Sequence, residues 1–179
     1  MKRPVFIPPI IADFVYQAVT GVSGVQFLEA SVCPLCAGLL IGHDLKQRRF
    51  STVMSREGSE HQYVYVKRFY CRDCNHLCYA EAPFYEKSRF GSPIVDLCIT
   101  LSEDYSFSQA ALIMNRLGIV IDRGTVRKTV MTHSHQVDAA DLYGIKLPQS
   151  VLSLSALVTS ADNTSPLSGR DVLNACGFA

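Results

Sequence analysis

CPLCAGLLIGHDLKQRRFSTVMSREGSEHQYVYVKRFYCRDC, residues 33–74, begins and ends on a pair of cysteines separated by two residues. That spacing lets Cys33 and Cys36 reach one ion from a single tight turn, and the same holds for Cys71 and Cys74. Two such knuckles supply the four ligands of a closed tetrahedral site, and the ion expected there is Zn2+. The 34 residues between Cys36 and Cys71 exceed the usual spacing for this pattern. A hairpin between them removes the objection, because it returns its two ends to the same place. Gln62-Tyr-Val-Tyr-Val-Lys-Arg-Phe-Tyr70 is β-branched and aromatic and is the best predicted strand of the chain. Tyr63, Tyr65, Lys67 and Phe69 fall on one face of it, and Val64, Val66, Arg68 and Tyr70 on the other. Phe50–Met54 is the predicted partner, with the turn at Glu57-Gly58-Ser59.

A β segment of about 55 residues has little core of its own and is marginal unless stapled. Structural zinc contributes about 10–16 kcal/mol of apparent binding energy in small zinc domains. Iron in the same thiolate site is the chemical alternative, since four sulfurs do not by themselves select the metal. A dithiol redox role needs a strand before the motif and a helix starting within it. Here a helix-like region precedes Cys33, and Ala37-Gly38 follows Cys36. His76 and Cys78 lie close enough to Cys74 to serve as substitute ligands. Cys98 and Cys176, on helical segments, read as buried apolar residues.

Hydrophobic residues make up 48% of the chain and charged residues 18%, so a real core is expected rather than disorder. Seven cysteines, four of them in C-x-x-C pairs, suit a reducing compartment, and a cytoplasmic location is expected. No apolar run is long enough to span a membrane. Lys2 and Arg3 precede an apolar stretch, Pro4 to Ala12, but its prolines, Asp13 and the lack of a small-residue cleavage site speak against a signal peptide. Net charge is only +1, yet the charge is uneven. Ile41–His76 holds seven basic residues against four acids, and Leu112–His135 holds four against Asp122. Two basic islands on a near-neutral chain suit a localised anion-binding face.

Outside the hairpin the texture is helical. Pro9–Glu29 reads as one or two short helices broken near Gly21–Gly24. A helix over 93–101 has Ser92 as its expected N-cap and Pro93 at its first position. The next spans about 106–117, with Ser106 and Gln109 spaced as a capping box and Ala110, Ile113, Met114 and Leu117 on one stripe. Gly118 ends it. A third opens on Asp122 and runs to about His133, with Val126 and Val130 inward. The last forty residues suggest a helix over Val151–Ser160, a polar loop over 162–169 and a short final helix. Two successive helices with Gly118 between them have the order of a helix-turn-helix, whose final helix enters the DNA major groove. Arg123, Thr125, Arg127 and Lys128 would lie on that helix and Arg116 near the end of the preceding one, as contacts to bases and phosphates. The turn Gly118–Ile121 is long and apolar for that motif. His133 and His135 read as surface residues.

With these features in order, the chain resembles the N-terminal DNA-binding region of insertion-sequence transposases, in which a zinc ribbon precedes a helix-turn-helix. The resemblance rests on the two C-x2-C pairs, Phe69-Tyr70-Cys71-Arg72-x-Cys74, the helix at Pro93, Ser106-Phe-Ser-Gln-Ala-Ala-Leu and Thr125-Val-Arg-Lys-Thr-Val130, over about residues 33–135. It implies duplex DNA as partner. Such transposases cut DNA with three carboxylates and magnesium in a separate domain. Beyond Gln136 this chain offers only Asp138, Asp141, Asp162 and Asp171. No other catalytic constellation is evident, so a non-enzyme is expected. The expected architecture is α+β: an N-terminal helical segment (1–32), a zinc ribbon of β-hairpins (33–90), a helix-turn-helix-like domain (91–136) and a short helical tail (137–179). The expected function is zinc-dependent DNA binding, by a truncated transposase or a derived regulator, with homodimerisation left open. The competing reading is a zinc-ribbon adaptor for protein partners that does not bind DNA.

Overall fold

The hairpin between the cysteine pairs is the longest element in the computed structural model, which describes residues 5–161, 165 and 167–178. Lys2, Arg3, Pro4 and Asp162 lie outside the described residues. Strand β2 (Leu40–Ser55) runs antiparallel to β3 (Gly58–Cys71), in register from Leu40 opposite Cys71 to Ser55 opposite Gly58. The connection needs Gly58, whose φ of +121° is open only to glycine at low cost. Register shifts between Gly42 and Leu45 and between Arg49 and Ser51 re-aim the side chains of β2. At the second, Phe50, Ser51, Thr52 and Val53 are buried in succession. Along the other edge of β3 lie β1 (Gln26–Phe27), parallel, and β4 (Leu77–Tyr79), antiparallel.

Helix α1 (Pro9–Thr20) starts on the proline the sequence offers. No second helix follows it before Glu29. Gly24 N–H donates to Tyr63 O (2.8 Å) and Tyr65 N–H to Val25 O (2.9 Å), so pairing with β3 draws this segment into a strand.

Helix α2 (Ser92–Asp104) is buried over most of its first ten residues, its polar Ser92, Asp96 and Thr100 included. Ser92 is not its cap. Gly91 holds that place, its N–H donating to Phe50 O (2.9 Å), and a Cβ there would collide with the Phe50 ring. Around α2 pack α3 (Phe107–Arg116) and α4 (Arg123–Thr132). The Ser106–Gln109 capping box forms with both of its hydrogen bonds, and Asp122 accepts the Thr125 N–H at the start of α4 (3.0 Å). The long apolar turn between them has a tertiary cause. Ile119 and Ile121 are buried, Met54 N–H donates to Gly118 O (2.8 Å), and Val120 N–H donates to Thr52 O (2.8 Å). The turn is a short addition to the end of the hairpin.

The C-terminal segment is not only helical. It opens on a hairpin, β5 (Ala139–Leu142) and β6 (Ile145–Pro148), joined by Tyr143-Gly144 with both residues at positive φ. Helices α5 (Gln149–Ser160) and α6 (Gly169–Ala175) follow, and α5 lies along α1 so closely that Gly21 sits against Val158. One core joins Val15, Phe27, Phe50, Leu97, Met114, Leu147, Leu154 and Val172, so it draws on every part of the chain. Among the described residues no helix is long and apolar enough to cross a membrane.

Candidate functional site

Cys33, Cys36, Cys71 and Cys74 converge, with all four sulfurs within 4.8 Å of one another. Sulfurs of different knuckles come into contact: Cys33 with Cys74 at 3.6 Å and Cys36 with Cys71 at 3.4 Å. A tetrahedral site with metal–sulfur bonds of about 2.3 Å has edges of about 3.8 Å, so the cluster has the dimensions of a four-thiolate metal centre.

The two knuckles share one backbone design. In the first, Ala37 N–H donates to Cys33 O (2.9 Å) and Cys33 N–H to Gly38 O (3.1 Å). In the second, Asn75 N–H donates to Cys71 O (3.0 Å) and Cys71 N–H to His76 O (3.0 Å). The residue after each second cysteine, Ala37 or Asn75, is left-handed, with φ of +58° and +57°. Asn adopts that region readily, whereas Ala does so at a cost that fits a site held by other forces. Gly38 packs so closely that a Cβ would meet Cys71 Sγ at 2.9 Å and strike the Asp73 carboxylate.

Burial pushes the Cys33 thiol up, but the N–H groups of Cys36 and Leu35 aimed at its sulfur outweigh this and bring it down to about 7. Cys36 goes the other way, to about 12, chiefly because of the neighbouring Cys71 sulfur. One thiol thus ionises more easily than its neighbour, and a metal bound there would displace the remaining protons. Neither His76 nor Cys78 joins the cluster among the described residues. Cys78 sits in the β3–β4 ladder opposite Phe69. Cys98 and Cys176 are buried, and burial raises both thiols to about 12. No helix begins within Cys33–Cys36, and the sulfurs of both motifs gather in one cluster; both features speak for metal ligation over dithiol exchange.

On the helical side, Arg123, Arg127 and Lys128 are exposed on α4. The Lys and Arg ion pairs of the described residues involve Arg68, Lys146 and Arg170, so Arg123, Arg127 and Lys128 have no carboxylate partner among the described residues. Met131, 68% exposed, continues the Arg123–Arg127 stripe one turn on. Thr125 and Arg116 are differently engaged. The Thr125 hydroxyl donates to Asp122 (2.6 Å), and the Arg116 guanidinium donates to Val5 O (3.0 Å). The cysteine cluster and the α4 face do not meet in one site: the knuckles close one end of the hairpin, whereas the turn into α4 pairs with Thr52–Met54 at the other.

A polar network that the sequence did not suggest surrounds Asp96 of α2. This buried carboxylate accepts from Tyr85 Oη (2.8 Å) and Ser150 Oγ (2.6 Å) and lies 3.0 Å from His135 Nε2. His133 and His135 both pack against the Tyr85 ring yet stay partly exposed, and neither joins a metal-ligating cluster among the described residues. The four partners come from residues 85, 96, 135 and 150, and no local spacing links them. A buried carboxylate needs several donors, so the network joins the loop after β4, α2, the end of α4 and α5.

Comparison with protein-family models, with characterised proteins and with solved structures returns no match. The site's chemistry therefore carries the functional argument.

Proposed function

We propose that this chain is a zinc-binding DNA-binding protein, transposase-like in its parts, in which the thiolate centre is a zinc ribbon and α3–α4 act as a helix-turn-helix. One observation carries the reading: Arg123, Arg127 and Lys128 stand exposed on one helix and form no ion pair among the described residues. Had acids from the Tyr79–Ala111 stretch covered that face, it would have no charge to offer a phosphate backbone. Zn2+ is the ion that best suits four thiolates in a closed tetrahedron with no redox task. Arginine suits bidentate contact to guanine, and lysine suits phosphate. No catalytic step is assigned to the chain, which in this reading is the DNA-gripping part of a transposase or a regulator derived from one.

Titrating a labelled mixed-sequence duplex into the zinc-loaded chain, followed by fluorescence anisotropy at two salt concentrations, tests the proposal. Binding is expected to weaken with salt with a log–log slope of about −0.9 per phosphate contacted. A flat anisotropy trace at low salt ends the DNA reading.

The adaptor reading has one observation in its favour. Val32, Leu35 and Leu39, 53%, 69% and 65% exposed, surround the first knuckle, and Ile41 is close by. Exposed apolar groups gathered at one place suit a protein partner. The adaptor becomes the better account if the chain retains zinc yet ignores the duplex.

A further inference from the structure

A cavity of about 100 Å³ lies between α4 and residues 87–90 of the loop that leads from the hairpin to α2. Lys87 and Arg89 line it from the loop, and Lys128 and Thr129 line it from α4. No carboxylate is among its lining residues, and none of the three cations has an ion-pair partner among the described residues. Like charges gathered around a small space repel one another unless an anion neutralises them.

The loop is braced from three sides. Arg48 donates to Ser88 O (3.3 Å) while its guanidinium lies 3.8 Å from the centre of the Phe84 ring. Ser88 Oγ donates to Phe90 O (2.7 Å) and accepts the Phe90 N–H (3.1 Å). His133 at the end of α4 places its two ring nitrogens by Thr129 O (3.0 Å) and Glu86 O (3.2 Å), tying helix to loop. Lys87 is held at φ +62°, a conformation that costs energy for any residue with a Cβ and persists only where its surroundings impose it. Such bracing fixes the cations before a ligand arrives, which lowers the ordering cost of binding. The space admits a tetrahedral oxyanion and is too small for a nucleobase with its sugar.

We propose that Lys87, Arg89, Lys128 and Thr129 form the seat of one backbone phosphate of duplex DNA, with Lys128 following Arg127 round the surface of α4. The inference rests on the DNA-binding reading and adds to it a loop that lies outside the helical trio. A phosphate held there sets the orientation of α4 on the duplex, and the Arg123–Arg127 stripe then meets the groove.

The double variant K87Q/R89Q separates the two ideas. Both side chains are exposed, so the fold is not at risk, and amide NMR spectra of the variant verify it. With the full zinc-loaded chain, the variant is expected to bind duplex roughly tenfold more weakly, as for loss of a charged hydrogen bond. Its salt slope should also be shallower by about 0.9, the value for one phosphate. Thr129→Val should weaken binding with no change of slope, since it removes a donor and no charge. If wild type binds duplex and K87Q/R89Q matches it in affinity and slope, the phosphate seat is wrong while the DNA reading stands. If wild type ignores duplex, the DNA reading falls and the seat's assignment to DNA falls with it. Titration with inorganic phosphate then distinguishes the remaining cases. Saturable shifts confined to the amides of residues 87–90 and Thr129 identify a free-phosphate site, and no shifts identify none.

Discussion

At one end of the β2–β3 hairpin, Leu40 to Arg49 stay wholly or partly exposed, whereas at the other end Phe50 to Val53 sink into the core beneath α2 and the α3–α4 turn. Val64 and Val66 of β3 are still buried opposite Arg48 and Lys46, but beyond them no side chain of Leu40–Leu45 or Lys67–Tyr70 is fully buried. Pairing at this first end is braced by Arg68 on β3 reaching Asp44 in the register shift of β2, and its tip closes on the four sulfurs. The second end has Phe50 packed on Gly91 and Val53 bridged to Ile119. One continuous pair of strands thus ends on a cluster of four thiols on one side and in the hydrophobic core on the other. If the thiols hold a metal, as proposed, the ion would staple a β-ribbon that extends past the edge of the core.

Removing a ligand should produce the largest effect. Cys71→Ser is expected to lower metal content, read by elemental analysis, from about one ion per chain to near none. Amide exchange should then quicken in Leu40–Leu45 and Phe69–Cys71 while α2 and α5 keep their protection. Loss of protection throughout the chain would show that the two ends are not separately held. Phe50→Ala attacks the other end and should cost about 3–5 kcal/mol in a urea titration, as for a large buried aromatic. Its metal content should stay at the wild-type level, so the two variants together sharpen the contrast. The smallest effect is expected from Asp122→Ala, which removes the N-cap of α4 and should cost about 1 kcal/mol. The anisotropy of a bound duplex should then fall only to the extent that α4 frays at its first turn. An unchanged urea midpoint would mean that the β-bridged turn, not the cap, holds the start of that helix.

Much of this arrangement was legible beforehand because it rests on local rules. The Ser106–Gln109 box, the Asp122 cap and Gly118 act within one turn of backbone, and each forms as the spacing suggests. The hairpin turn at Gly58 was readable for the same reason. The misreadings fall where distant residues decide. Ser92 has a cap's chemistry, yet the Phe50 ring and carbonyl make Gly91 the cap. Gln26 and Phe27 fall in a stretch that reads as helical, yet the free edge of β3 takes them as a strand. Tyr143-Gly144 is a weak turn signal beside Asn-Gly, and the β5–β6 hairpin depends on Ile145 and Leu147 finding the core.

By itself, the order of residues determined the four-thiol cluster, because two residues between cysteines and a hairpin between pairs leave few other ways to satisfy those sulfurs. It also determined the caps of α3 and α4 and the helical trio, whose signals are written within three or four positions. Only the tertiary structure decided that Asp96 gathers Tyr85, His135 and Ser150, that α5 closes over α1, and that Lys87 and Arg89 stand opposite Lys128. The physical reason is range: local backbone chemistry acts between neighbours, whereas burial and charge act between whatever the fold brings together.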